Sequence, residues 1–229
     1  MCAGSLAVAG AAAWCAPGLA PHVRSLCAPL GISRTLPAGS QDVALTFDDG
    51  PHAEGTPAVL DALAAHGAQA TFFLVGEQVE RHPGLAREIA AAGHVIALHG
   101  HRHRSQLRLS PRALADDLRR ASDIIGSTTG RLAPLYRPPY GIFSAAGLAL
   151  ARHRGDAPWL WSRWGRDWRA NASPRSITRL AAHELSSGDV ILLHDADHYG
   201  HPGCWRATAS AIPLILDAVE QRGLRTAAL

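Results

Sequence analysis

Apolar positions along this chain follow two periods. Val43 to Leu45, Gln69 to Val75, Val95 to Leu98 and Asp189 to Leu193 are short apolar runs, two of them rich in β-branched or aromatic residues, and they read as buried strands. Between them lie stretches with apolar residues three or four apart, which read as helices. One is capped by Thr56 and runs from Pro57 to Gly67; others run from about Pro83 to Ala92 and from Pro111 to Gly126. Leu135-Tyr136 and Pro158 to Trp161 add strands, and an Ala/Leu-rich helix runs to about Arg152. Ser173-Pro174 opens a helix that includes Ile177, Leu180 and Leu185. A last helix with Pro213 in its first turn reaches about Gln221, and Leu224 to Leu229 close the chain as a strand. About seven βα units with no run of consecutive strands predict an α/β fold, a parallel sheet closed into a barrel.

The composition shifts near residue 40. Residues 1–39 form an apolar segment rich in Ala, Gly and Leu with no charged side chain before Arg24, and residues 40–229 read as the folded domain. The segment suits a signal or membrane anchor, or a packed extension. It lacks the basic start of a secretory signal, and Pro17, Pro21 and Pro29 weaken it as a spanning helix.

Composition narrows the chemistry. The chain has 229 residues, a net charge of +3 and no Lys, so its 22 basic residues are all Arg. A lysine Schiff base or lysine general base is excluded. The arginines are scattered, which leaves no nucleic-acid footprint. Cys2, Cys15, Cys27 and Cys204 have no metal-binding or redox spacing. The 13 histidines invite a metal reading.

The predicted register gives that reading a place. Asp48-Asp49, His99, Arg137, Asp167 and His194 all fall at or just beyond the C-terminal end of a predicted strand, and in a parallel barrel those ends share one rim. Thr46-Phe47-Asp48-Asp49-Gly50-Pro51 places two carboxylates where a strand gives way to a turn. Either they form an Asx-type turn, or one binds a cation and the other handles a proton. His99 and His103 are four residues apart, and on one helical turn they would share a metal with Asp49. On an extended chain His99 would pair with His101 instead. The loop Asp195 to His201 looks like a second metal cluster but reads as a polar rim loop.

Five stretches carry a resemblance. Thr46 to Pro51, the pair His99/His103, Arg137-Pro138-Pro139-Tyr140, Asp167-Trp168 and Leu192-Leu193-His194-Asp195 occur in the order of the motifs of the polysaccharide deacetylase family. From about Val43 onward the chain resembles the NodB-homology domain of carbohydrate esterase family 4. The resemblance implies a distorted (β/α) barrel of about seven parallel strands with outer helices that hydrolyses the N-acetyl group of an amino sugar. It implies Asp49, His99 and His103 as ligands of Zn²⁺ or another divalent metal such as Co²⁺. Asp48 would be the general base, His194 the general acid, Arg137 the partner of Asp48, and Asp167 the group that orients His194. Tyr140, Pro139, Trp168 and Leu192 would contact the substrate, Tyr140 through its backbone N–H and Leu192 in the acetyl pocket. The expected partner is an N-acetylated glycan such as peptidoglycan or chitin, acted on in the cell envelope or outside the cell, with the cytoplasm as the alternative.

The chain departs from the family pattern at Gly100, where Ser or Thr is frequent, and in the basic, aromatic stretch Ser162 to Arg166. Two other functions fit the same barrel: O-acetyl ester hydrolysis, as on xylan, and a catalytically silent glycan-binding domain. The presence of both Asp48 and His194 favours an enzyme, since a binder needs neither base nor acid.

Overall fold

The computed structural model describes residues 14–229. Its centre is β1, Asp42–Asp48, in which all residues after Asp42 are buried. Burial on both faces is the mark of a parallel strand covered by helices, and β1 accordingly takes partners on both sides. It pairs in parallel with β2 (Thr71–Leu74) and β7 (Val190–His194), and its first residues pair with β8 (Arg225–Ala227). Outward from β2 lie β3 (Val95–Leu98), β4 (Leu135–Tyr136) and β5 (Ala157–Pro158); outward from β7 lies β6 (Arg163–Trp164). Every pairing between these strands is parallel, so the C-terminal ends gather on one rim of a curled α/β barrel with helices outside. This is the predicted fold class.

The helices are α1 (Gly55–Ala64), α2 (Gly76–Arg81), α3 (Pro83–Ala91), α4 (Pro111–Thr129), α5 (Ala145–Arg154), α6 (Pro174–Ala181) and α7 (Trp205–Glu220). Ser110, Ser144 and Ser173 cap α4, α5 and α6 by accepting a backbone N–H in the first turn.

Several predicted boundaries move, each for a local reason. Thr56 lies inside α1 rather than capping it; its hydroxyl accepts the His52 N–H at 2.7 Å and donates to Asp195. Helix α2 is absent from the predicted elements. Helix α4 passes through Gly126 and stops at Gly130, whose φ of 66° makes the left-handed cap. Helix α6 ends before Leu185. Pro213 sits inside α7 instead of its first turn, tolerated because Ile212, Ile215, Leu216 and Val219 bury the helix against the core. Of the predicted strand Pro158 to Trp161 only Pro158 lies in a strand, the end of β5; the residues after it cross to the opposite edge, where β6 begins at Arg163.

The chain before β1 closes that gap. Ser33 donates to the Pro158 carbonyl at 2.9 Å and accepts the Leu160 N–H at 2.8 Å, while Thr35 bridges Asp189. Ala20, Cys27 and Ile32 are buried with the core. The signal or anchor reading of the first residues lies outside the described residues; among those described, no helix is long and apolar enough to cross a membrane.

Candidate active site

At the end of β1 the backbone turns over at Asp49, which adopts φ 81°. That turn lets two consecutive carboxylates face one site, which an extended strand would forbid. Asp48 remains in the strand, paired laterally with His194 of β7. The Arg137 guanidinium, wholly buried and stacked 4.0 Å from the Phe73 ring, donates to Asp48 Oδ1 at 2.7 Å, to Thr46 Oγ1 at 2.9 Å and to the Leu160 carbonyl at 3.1 Å. Burial pulls its pKa down and Asp48 opposes that pull. Asp48 Oδ1 is thereby pinned, and Oδ2 lies 3.9 Å from His99 Nε2.

His99 and His103 do converge, but on an irregular loop rather than a helical turn. Gly100 takes φ 86°, and a Cβ there would stand 3.2 Å from Asp117 Oδ2. The buried Asp117 of α4 fills that space: it accepts the His101 N–H at 2.8 Å and pairs with Arg104 at 2.8 Å, which ties down the backbone between the two histidines. His101 is no ligand. Its ring packs on Gly76, and its Nε2 is 3.9 Å from Glu80 Oε2.

The three side chains fit a cation. The Nδ1–H of His99 donates to the Arg137 carbonyl oxygen at 2.8 Å, which leaves Nε2 as a bare lone pair 3.3 Å from Asp49 Oδ1. His103 Nε2 is 3.2 Å from the same oxygen, which is buried and has no hydrogen-bond partner. A buried carboxylate oxygen facing two imidazole nitrogens is satisfied by a positive charge there, which a metal ion or a proton on an imidazole supplies. Burial pushes Asp49 upward, but protons on the facing imidazoles of His103 and His99, in whose place an ion would sit, hold it well below the ordinary carboxylate range, so Asp49 is ionised as a metal ligand must be.

Across the cavity, His194 Nδ1 meets Asp167 Oδ1 at 2.9 Å. The other oxygen of Asp167 accepts the His194 backbone N–H at 2.7 Å and the Thr208 hydroxyl at 2.8 Å. Burial lowers the imidazole's affinity for a proton, yet Asp167, helped by Asp49 and Asp48, overrides this and raises its pKa to about 10. In the basic, aromatic stretch before Asp167, Arg163 and Arg166 turn elsewhere, to Asp189 and over the Trp164 ring.

Asp48, Asp49, His99, His103 and His194 line a cavity of about 250 Å³. Trp168, Leu192 and Tyr140 border it as expected, Tyr140 in the left-handed conformation with φ 61°. Pro139 does not; it is buried, with its Cδ against Gly100. Trp161 is only 6% exposed and still reaches the cavity, as do Trp164 and Tyr199. Tyr199 was not legible from the sequence, because it sits in the loop between β7 and α7 where no strand register applies.

A second histidine cluster, His52, Asp197 and His198, lies nearby. Here His52 Nδ1 accepts the Gly55 N–H at 2.9 Å, so Nε2 carries the proton and donates to Asp197 at 3.2 Å. The imidazole has no free lone pair for a metal, consistent with a polar rim loop.

A parallel barrel with a carboxylate and two imidazoles arranged for a cation at its C-terminal rim defines a metal-site hydrolase class. The polysaccharide deacetylase model matches residues 36–156. A chitooligosaccharide deacetylase from Bradyrhizobium sp. (strain ANU 289) is 35% identical, covering 81% of this chain and 88% of the relative. The structure is similar to the Bc1960 peptidoglycan N-acetylglucosamine deacetylase, with a TM-score of 0.82, 30% identity and coverage of 90% and 94%. It is also similar to a family 4 carbohydrate esterase from Streptomyces lividans in complex with acetate, with a TM-score of 0.73, 31% identity and coverage of 82% and 92%. The chain belongs to the polysaccharide deacetylase family, the NodB-homology hydrolases of carbohydrate esterase family 4 that remove N-acetyl groups from glycans.

Proposed function

We propose that this protein removes the acetyl group from N-acetylglucosamine units of a chitin-like or peptidoglycan chain, with Asp49, His99 and His103 holding a divalent ion, zinc in the first instance. The observation that carries the proposal is the buried, partnerless Oδ1 of Asp49 facing two imidazole nitrogens. A divalent ion there supplies Lewis-acid polarisation of the amide carbonyl and acidifies a water molecule.

The protein's own groups do the rest. Asp48 takes the proton of the attacking water through Oδ2, since Oδ1 is occupied by Arg137. Negative charge developing on the carbonyl oxygen is met by the backbone N–H of Tyr140. The departing amine needs a proton, and His194, kept protonated by Asp167, delivers it from Nε2. Leu192, nearly buried at the cavity wall, lines the acetyl pocket, and Trp168, edge-on to His194 with centroids 5.4 Å apart, limits access of water. Similarity to peptidoglycan and chitooligosaccharide deacetylases supports action at the cell envelope or outside the cell. Residues 40–229 would carry the catalytic domain.

The test is acetate release from chitooligosaccharides, peptidoglycan and acetylxylan, with and without a chelator. Chelator-sensitive release from an N-acetylated glycan supports the proposal; release from acetylxylan alone would replace it with ester hydrolysis. No release from any of the three by the ion-loaded protein would leave the silent glycan-binding barrel.

A further inference from the structure

Tyr199 lies outside every motif on which the family resemblance rests, yet it shapes the metal site. Its ring lies face to face with His103, with centroids 3.9 Å apart and planes 10° from parallel. Tyr140 meets the same imidazole edge-on at 4.4 Å. The Tyr199 hydroxyl donates to Glu77 Oε1 at 3.0 Å and accepts from Gln78 Nε2 at 3.2 Å, so the first turn of α2 anchors it. Gln78 is itself only 1% exposed, which makes that anchor rigid.

The contrast with His99 shows why this matters. A ligating imidazole is ordinarily oriented by a hydrogen bond from its other nitrogen, and His99 has one in the Arg137 carbonyl. His103 does not: its Nδ1 is buried and has no hydrogen-bond partner. Something else must hold the ring with Nε2 turned toward Asp49.

We propose that Tyr199 is the positioning residue for His103, its stacked ring setting the imidazole plane and its hydroxyl transmitting the rigidity of α2. Tyr199 does not touch the reacting atoms in this role; it acts through His103, and its edge forms part of the cavity wall. The proposal rests on the reading that Asp49, His99 and His103 hold a divalent ion.

Zn²⁺ affinity measures this directly, by competition with a chromophoric chelator on ion-stripped native protein, Tyr199→Leu and Tyr199→Phe. Leu removes the aromatic face, and Zn²⁺ binding is expected to weaken roughly 10- to 100-fold, as when an outer partner of a ligand is lost. Phe keeps the ring and loses both anchoring bonds, so it falls between Leu and native. A folded Leu variant that binds Zn²⁺ as tightly as native protein would overturn the proposal. Should the Leu variant not fold, the Phe variant decides, and native affinity there would overturn it equally. Failure of the native protein to bind Zn²⁺ would instead sink the underlying reading of the site.

Discussion

Arg137 serves His99 and Asp48 at once: its carbonyl oxygen accepts from His99 Nδ1 at 2.8 Å, and its guanidinium donates to Asp48 at 2.7 Å. One residue therefore orients a proposed metal ligand through its backbone and the proposed base through its side chain. The two functions separate on mutation. Arg137→Gln leaves the carbonyl in place but strands a buried carboxylate, a loss of about 3–5 kcal/mol for a broken buried pair. Chemical denaturation should show that loss together with acetate release at background. Zn²⁺ affinity measured below the melting temperature should fall far less; stability within about 1 kcal/mol of native would contradict the pairing.

Asp48→Asn keeps the shape and removes the base. Acetate release is expected to fall by roughly 10²- to 10⁴-fold, the usual contribution of general-base catalysis, while Zn²⁺ binding persists. Steady-state assay and ion titration on the same preparation check both halves. Undiminished turnover would show that another group takes the proton.

The pH profile follows from His194. Asp167 raises its pKa to about 10 against the lowering effect of burial, so the imidazolium persists through neutral and mildly alkaline pH. Asp167→Asn removes that support, and the alkaline limb of kcat against pH should move to lower pH. Stability has the same sign. A folded-state pKa above the unfolded value of about 6.5 stabilises fully below that value and fades as pH rises toward about 10. In ion-free protein, the melting-temperature advantage of native over Asp167→Asn should shrink across that window. A constant gap would count against the pair.

Gly141 tests the cavity wall. Its φ is 69°, and a Cβ would meet the Trp161 ring at 2.7 Å. Gly141→Ala should cost on the order of 1–3 kcal/mol, from left-handed strain and displacement of the indole. Thermal denaturation measures the cost, and a native-like melting temperature would mean the wall yields freely.

Strand periodicity made the rim legible before any coordinates, because a parallel sheet sends every strand's C-terminal residue to the same side. Asp48, Asp49, His99, Arg137, Asp167 and His194 were placed that way, four-residue spacing offered His103 as a partner for His99 with His101 as the alternative, and the ordered motifs chose His103 and gave each residue its role. What the sequence hid were contacts made by loops and by residues remote in the chain. The left-handed turn at Asp49, the anchoring of the His99–His103 loop by Asp117, and the stacking of Tyr199 on His103 have no periodic signature. The short α2 was hidden for a related reason: six residues are too few to display a helical period.

The central claim is that Asp49, His99 and His103 hold one divalent ion on which hydrolysis depends. Calorimetric titration of ion-stripped protein with Zn²⁺ tests it most directly, run on native chain, Asp49→Ala and His103→Ala, with acetate release followed at each addition. The account predicts one Zn²⁺ per native chain, activity rising in step with occupancy, and binding at least 10-fold weaker in both variants. Full activity in the stripped native protein, or unchanged Zn²⁺ binding in both variants, would contradict it.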